Sequence, residues 1–439
     1  MTSASLERKR SATWLPEWEP EDNDFWASRG KRIATRTLVI TTANLMVAFA
    51  VWFVVSALIS RLDKAGFTLS KSELYWLVAM PGLAGGTFRL IHMFLTPIYG
   101  TRHVVSISTA LLLLPLGGWF FAVQDPDTPY WILLGLAFLA GLGGGNFSSF
   151  MPSTSLFFPK RDQGTALGIQ AGIGNFGVSL VQFLTPWVIG FSMIGSAVNA
   201  KGDLYLQNAL LIWMPPVILL SILAWARLRS VPVRANMREQ MDIFSEKHTY
   251  TMTSLYMMTF GTFAGFAAAF PVLIKNEFGT FGHDPLTYAF IGPLVGSIMR
   301  IVSGPVSDRF GGARVTQVSA LGLIVFTTLT SFYVAGESAD DFKPFVLCMI
   351  GMFFFAGIGN ASTFKQIPSL FPTLKAAGVI GWTAAIAAYG PFLFSVLISF
   401  STSQSGDPRA FFYGLVAFYV FNLILNWWFF ARKNAPNPC

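Results

Sequence analysis

The sequence predicts an all-α integral membrane protein: twelve transmembrane helices in two parallel six-helix repeats. Three observations lead there. Charged residues make up 12% of the 439-residue chain and hydrophobic ones 53%, whereas a soluble domain carries about a quarter charged residues. Apolar stretches of about twenty residues, long enough to cross ~30 Å of hydrocarbon, recur along the chain. The second half also repeats motifs of the first. FFPKRDQGTALGIQAGIGNFG aligns with LFPTLKAAGVIGWTAAIAAYG at a constant offset of 213, placing Phe158 on Phe371, Gly168 on Gly381 and Gly177 on Gly390.

Residues 1–34 form a polar N-terminal segment with basic Arg8, Lys9 and Arg10, followed by WLPEWEPEDNDFW. Its Trp14, Trp18 and Trp26 suit a membrane interface. A first bundle follows over 35–227, with spans at 35–59, 73–98, 104–123, 130–157, 163–192 and 207–227. A hydrophilic loop, 228–249, separates it from a second bundle over 250–431. The second set of spans is 250–274, 286–306, 315–335, 344–370, 376–401 and 409–431, and 432–439 is a short tail. Lysine and arginine concentrate in the N-terminal segment, central loop, tail and the connections on that side. The positive-inside rule then places both termini in the cytoplasm of a multi-pass protein of the cell (inner or plasma) membrane. The net charge of +8 is accounted for by topology and implies no nucleic acid. Parallel repeats place a binding site at their interface near the midplane.

Two cysteines and four histidines, without metal-ligand spacing, imply neither a disulfide framework nor a metal centre. No cofactor is expected. No nucleophile–base constellation is present either, which argues against an enzyme.

Arg89 and Arg300 carry the chemistry. They occupy equivalent positions deep in the second and eighth spans, where GLAGGTFRLIHMFLTPIYG aligns with PLVGSIMRIVSGPVSDRFG. A charged side chain at a helix centre costs ~2.5–3.5 kcal/mol on insertion scales. Apart from Glu73, the first residue of its span, every Asp and Glu falls outside the expected spans, so no acid deep in the membrane can neutralise the arginines, and the missing negative charge is assigned to the substrate. The planar guanidinium fork suits flat oxyanions. Lys365 lies near a helix end and is expected to snorkel. His92 shares the Arg89 helix face, either as a polar wall or as a candidate proton-linked residue. Phe147, Tyr256 and Phe260 are expected to wall the cavity.

The stretch Gly164–Gly190 carries Gly164, Gly168, Gly172, Gly174 and Gly177. Each glycine weakens a helix by about 1 kcal/mol relative to alanine. Their use is close helix approach, and Gly381 and Gly390 repeat the pattern. Asn175 and Gln182 on this stretch point toward the ion path, because unpaired amides are costly in hydrocarbon. DRFGGAR, from Asp308 to Arg314, resembles the loop motif of the major facilitator superfamily.

With these motifs the chain resembles the nitrate/nitrite porters of that superfamily, the NarK group. GTALGIQAGIGNFGVSLVQFLTP resembles the family's first glycine-rich signature. Arg89 and Arg300 match its two substrate arginines, while Phe147, Asn175, Tyr256 and Phe260 sit where that family lines its pocket. The second signature departs from the glycine-rich form at Ala387 and Pro391. The resemblance implies nitrate import against nitrite export by alternating access, in a functional monomer. Nitrate/proton symport, organophosphate/phosphate antiport and an anion channel are the alternatives.

Overall fold

The computed structural model describes residues 13–199, 201–231 and 242–439. The basic cluster at Arg8–Arg10 and most of the central loop lie outside the described residues. Eleven helices among the described residues are long and apolar enough to cross a membrane. They are α1 (Asn23–Ile59), α2 (Lys71–Ala122), α3 (Tyr130–Ser155), α4 (Lys160–Val188), α5 (Asn208–Arg227), α6 (Lys247–Phe281), α7 (Pro285–Phe310), α8 (Gly312–Tyr333), α9 (Ala339–Leu370), α10 (Gly378–Ser405) and α11 (Arg409–Ala431).

Helix starts follow local chemistry. Ser70 and Glu73 form a capping box at α2, satisfying backbone N–H groups that would otherwise be unpaired. Asp284 caps the residue pair entering α7, with Pro285 behind it, the position where proline's missing N–H does no harm. At 52 residues, α2 is far too long for one crossing at 1.5 Å per residue. It is broken at Gly100, whose φ of 77° and ψ of 157° are non-helical. Gly311, between α7 and α8, adopts the matching φ of 88° and ψ of 138°. Both φ values favour glycine, so the second and third expected spans are the two arms of α2. The eleven helices thus make twelve crossings in two six-helix halves.

The N-terminal tryptophans pack on protein rather than facing lipid. Trp18 donates from its indole nitrogen to the Leu156 carbonyl at 3.1 Å and its ring contacts Phe157 at 5.0 Å. Trp26 contacts Phe158 at 5.8 Å, and Trp14 bridges to Ser230. The entry segment is therefore fastened to the α3–α4 turn. Exposed Phe121, Trp187, Ile222, Phe332 and Phe400 face outward, as lipid-contacting residues do.

The two ends of the bundle differ. At the end away from both termini, ion pairs tie the first half to the second: Arg61 to Asp284, Lys275 to Asp63 at 2.8 Å, and Lys71 to Glu277 at 3.9 Å. At the end bearing the termini, the ion pairs among the described residues stay within one half: Arg161–Asp162, Lys365–Asp308 and Lys375–Glu246. There a small vestibule opens between the halves, lined by Phe147, Met151 and Leu167 on one side and Phe364, Gly381 and Ala384 on the other. Lys365, expected to snorkel, is half-exposed and pairs with Asp308 of the DRFGGAR loop.

Candidate anion site

Glycines make room for the site. A methyl group at Gly85 or Gly144 would stand 2.9 or 2.6 Å from the Trp52 ring. The indole of α1 therefore fills a slot between α2 and α3, anchored by a 2.8 Å bond to the Pro81 carbonyl. Its ring lies 5.2 Å from the Arg89 Cζ. The Phe147 ring lies at 4.5 Å and the Phe49 ring at 5.9 Å.

Arg89 is fully buried. Its Nε donates to the Gly144 carbonyl at 2.8 Å, where α3 is interrupted at Asn146. Its Nη1 donates across the interface to the Ala384 carbonyl of the other half at 2.7 Å, and its Nη2 has no partner.

Arg300 is likewise buried. Its Nη2 donates to the Tyr256 hydroxyl at 3.1 Å and its Nη1 is unpartnered. No ion pair to either arginine is present among the described residues, in keeping with the expected absence of an intramembrane acid.

A π-helical turn at Met257–Gly261 carries the aromatic wall. Such turns are rare and frequently occur at functional sites. Here it stacks Tyr256 on Phe260 at 5.3 Å and 4°. Phe260 lies 5.1 Å from the Arg89 Cζ and 5.7 Å from the Arg300 Cζ, so one ring serves both guanidinium groups. Phe147 stacks on Phe260 at 6.2 Å, and Phe364 stacks on Tyr256 at 4.3 Å. The rings form a slot with flat walls and two free guanidinium N–H groups. Water is largely excluded, which strengthens charge interactions.

The expected site residues separate into groups. Arg89, Arg300, Phe147, Tyr256 and Phe260 come together. Asn175 is fully buried with neither amide atom partnered. Gln182 ties the halves together, its Nε2 donating to the Ala267 carbonyl at 2.8 Å. His92 is engaged by Ser149, with Nδ1 and Oγ 2.9 Å apart.

Among the glycines, Gly172 receives Ile301, Gly174 receives Leu45, Gly177 lies on the Met46 carbonyl and Gly390 on the Gly261 carbonyl. Gly381 has only the Met93 side chain at 3.6 Å, and nothing lies within 4 Å of a methyl at Gly164 or Gly168. Of the two departures in the second glycine signature, Pro391 is accommodated from the opposite side, lying over Gly82, and the neighbouring Tyr389 lies over Gly86.

Trp52, Phe49 and Phe364 were not singled out from sequence. For Phe364 a signal existed, because GIGNASTF around it parallels GGGNFSSF around Phe147.

Two six-helix halves that meet at a buried cationic slot, closed at one end and open at the other, define a membrane transporter. The profile of the Major Facilitator Superfamily matches residues 39–279 and 252–438. The chain is 58% identical to "Probable nitrate/nitrite antiporter NarK2" of Thermus thermophilus, over 98% of this chain and 100% of that one. It is 34% identical to "Nitrate/nitrite transporter NarU" of Escherichia coli (strain K12), over 97% and 98%. The proton:xylose symporter XylE bound to 6-bromo-6-deoxy-D-glucose shares the fold, with a TM-score of 0.69 at 14% identity over 93% of this chain and 98% of that one. The chain belongs to the nitrate/nitrite porter family of the major facilitator superfamily.

Proposed function

We propose that the protein exchanges external nitrate for internal nitrite by alternating access of its two halves. The observation that carries this is the pair of buried arginines, each with one terminal nitrogen free, facing one aromatic ring with no carboxylate among the described residues paired to them. An empty site of this kind holds two uncompensated charges in a low-dielectric interior and reorients poorly. An anion that accepts from both forks lowers that cost and lets the halves rock, so occupancy is required in both directions. Flat walls and planar forks fit nitrate and nitrite, which are small, planar and monovalent. The printed names of the 58% and 34% identical relatives support the same substrates.

In this reading 1–34, 228–249 and 432–439 are cytoplasmic in the inner membrane, and 35–227 and 250–431 are the moving bundles of a functional monomer. The vestibule faces the cytoplasm and the three cross-half ion pairs close the outer face. His92 belongs to the wall, since its ring is occupied by Ser149.

The test is counterflow in proteoliposomes. Nitrate uptake is expected to require internal nitrite or nitrate and to be insensitive to an imposed proton gradient. Uptake into vesicles free of both anions, accelerated by an inward proton gradient, would replace exchange with nitrate/proton symport.

A further inference from the structure

Asn360 is fully buried on α9, and neither its Oδ1 nor its Nδ2 has a hydrogen-bond partner. An unpaired buried amide destabilises a protein, so its presence points to a ligand. Its direction is bracketed by its neighbours on the same helix face, where residues three and four apart align. Gly357, three residues earlier, packs on the backbone of Gly296, one turn before Arg300 on α7. Phe364, four residues later, stacks on Tyr256 at 4.3 Å and lies 5.4 Å from the Arg300 Cζ. Asn360 therefore sits on the stripe of α9 that faces Arg300 and the aromatic slot.

The repeat sharpens this. The parallel of GIGNASTF with GGGNFSSF pairs Asn360 with Asn146, which is likewise buried with neither amide atom partnered. Asn175, a second unpartnered amide of the first half, has Ala388 as its counterpart. Among the described residues the first half thus contributes Arg89 and two asparagines with neither amide atom partnered, Asn146 and Asn175, and the second half contributes Arg300 and Asn360.

We propose that Asn360 is an anion ligand, donating from Nδ2 to a substrate oxygen beside Arg300, and that it favours nitrate over nitrite. This rests on the oxyanion-exchange reading above. Two guanidinium forks saturate the two oxygens of nitrite most readily, while nitrate presents a third oxygen that needs a further donor.

The experiment uses Asn360→Leu and Asn360→Ser in the full chain, reconstituted for counterflow and also melted in detergent with and without nitrate. Asn360→Leu should raise the half-saturation concentration for nitrate about tenfold, as expected for losing one hydrogen bond to a charged ligand, and that for nitrite no more than threefold. The maximal rate should change less than affinity. The melting temperature without anion should hold or rise, because an unpaired amide is removed, while the nitrate-induced rise shrinks. Asn360→Ser, which keeps a donor, should fall between. Wild-type half-saturation for both anions in Asn360→Leu would overturn the proposal. So would a fall of several degrees in anion-free melting, or failure to fold, since either makes the residue structural. The underlying reading fails separately, through wild-type protein that exchanges neither nitrate nor nitrite.

Discussion

Arg300 donates through Nη2 to the Tyr256 hydroxyl at 3.1 Å, and its Nη1 remains free. The phenol therefore fixes the plane of the guanidinium while leaving one N–H to meet a ligand. This positioning is structural work performed by an uncharged group where a carboxylate would have cancelled the charge.

Replacing that phenol separates orientation from ring packing. Tyr256→Phe keeps the stacks on Phe260 and Phe364 but leaves Arg300 Nη2 buried and unpaired, at a cost of about 1–3 kcal/mol. The expected result is a roughly fivefold higher half-saturation for nitrate in counterflow, with a lower melting temperature. Unchanged kinetics would remove Tyr256 from the site.

The glycines of α4 should divide by position. A methyl at Gly177 collides with the Met46 carbonyl, whereas one at Gly164 meets nothing within 4 Å. Overpacking costs typically 1–3 kcal/mol, while an open helical glycine replaced by alanine gains up to about 1 kcal/mol. Gly177→Ala should lower the melting temperature and slow exchange, and Gly164→Ala should raise or hold the melting temperature. Equal responses of the two variants would contradict the packing assignment.

The cross-half ion pairs make a second kinetic prediction. The Arg61 side chain is 9% exposed and pairs with Asp284, which is 41% exposed. Breaking a partly buried pair strands a charge, so Asp284→Ala should destabilise the closed outer face and increase labelling of a cysteine placed at Ser60, which is buried beside Arg61, by a membrane-impermeant reagent. The exchanged pair Arg61→Asp with Asp284→Arg should bring labelling back toward the wild-type level. Labelling that ignores both variants would show that the pair does not hold this face shut.

Much of this was legible in the sequence because lipid makes certain residues conspicuous. Two arginines at matching depths stand out where no acid lies deep in the expected spans, and the glycine stripe of α4 marks close helix contact. Other features depend on distant partners. Trp52 and Phe364 could not be separated from the other aromatic residues by composition, since their role comes from glycine slots and ring stacking on other helices. The accommodation of Tyr389 and Pro391 by Gly86 and Gly82 is invisible within the second signature itself. The outer ion pairs join helix ends and loops from opposite halves, and the Lys365–Asp308 pair joins residues remote in sequence. The break at Gly100 was placed between spans correctly, but its continuity with both arms of α2 reflects a single residue's backbone angles.

The central claim is that Arg89 and Arg300 recognise a planar anion as paired forks. It is tested most directly by nitrate/nitrite counterflow in proteoliposomes carrying Arg89→Lys or Arg300→Lys. Lysine keeps the charge and loses the planar fork, and in Arg89 it also loses the bonds to Gly144 and Ala384. Each variant should lose about a hundredfold or more in exchange rate at low nitrate, the loss of two charge-assisted hydrogen bonds, while still inserting and folding. Near-normal exchange by both lysine variants would contradict the account.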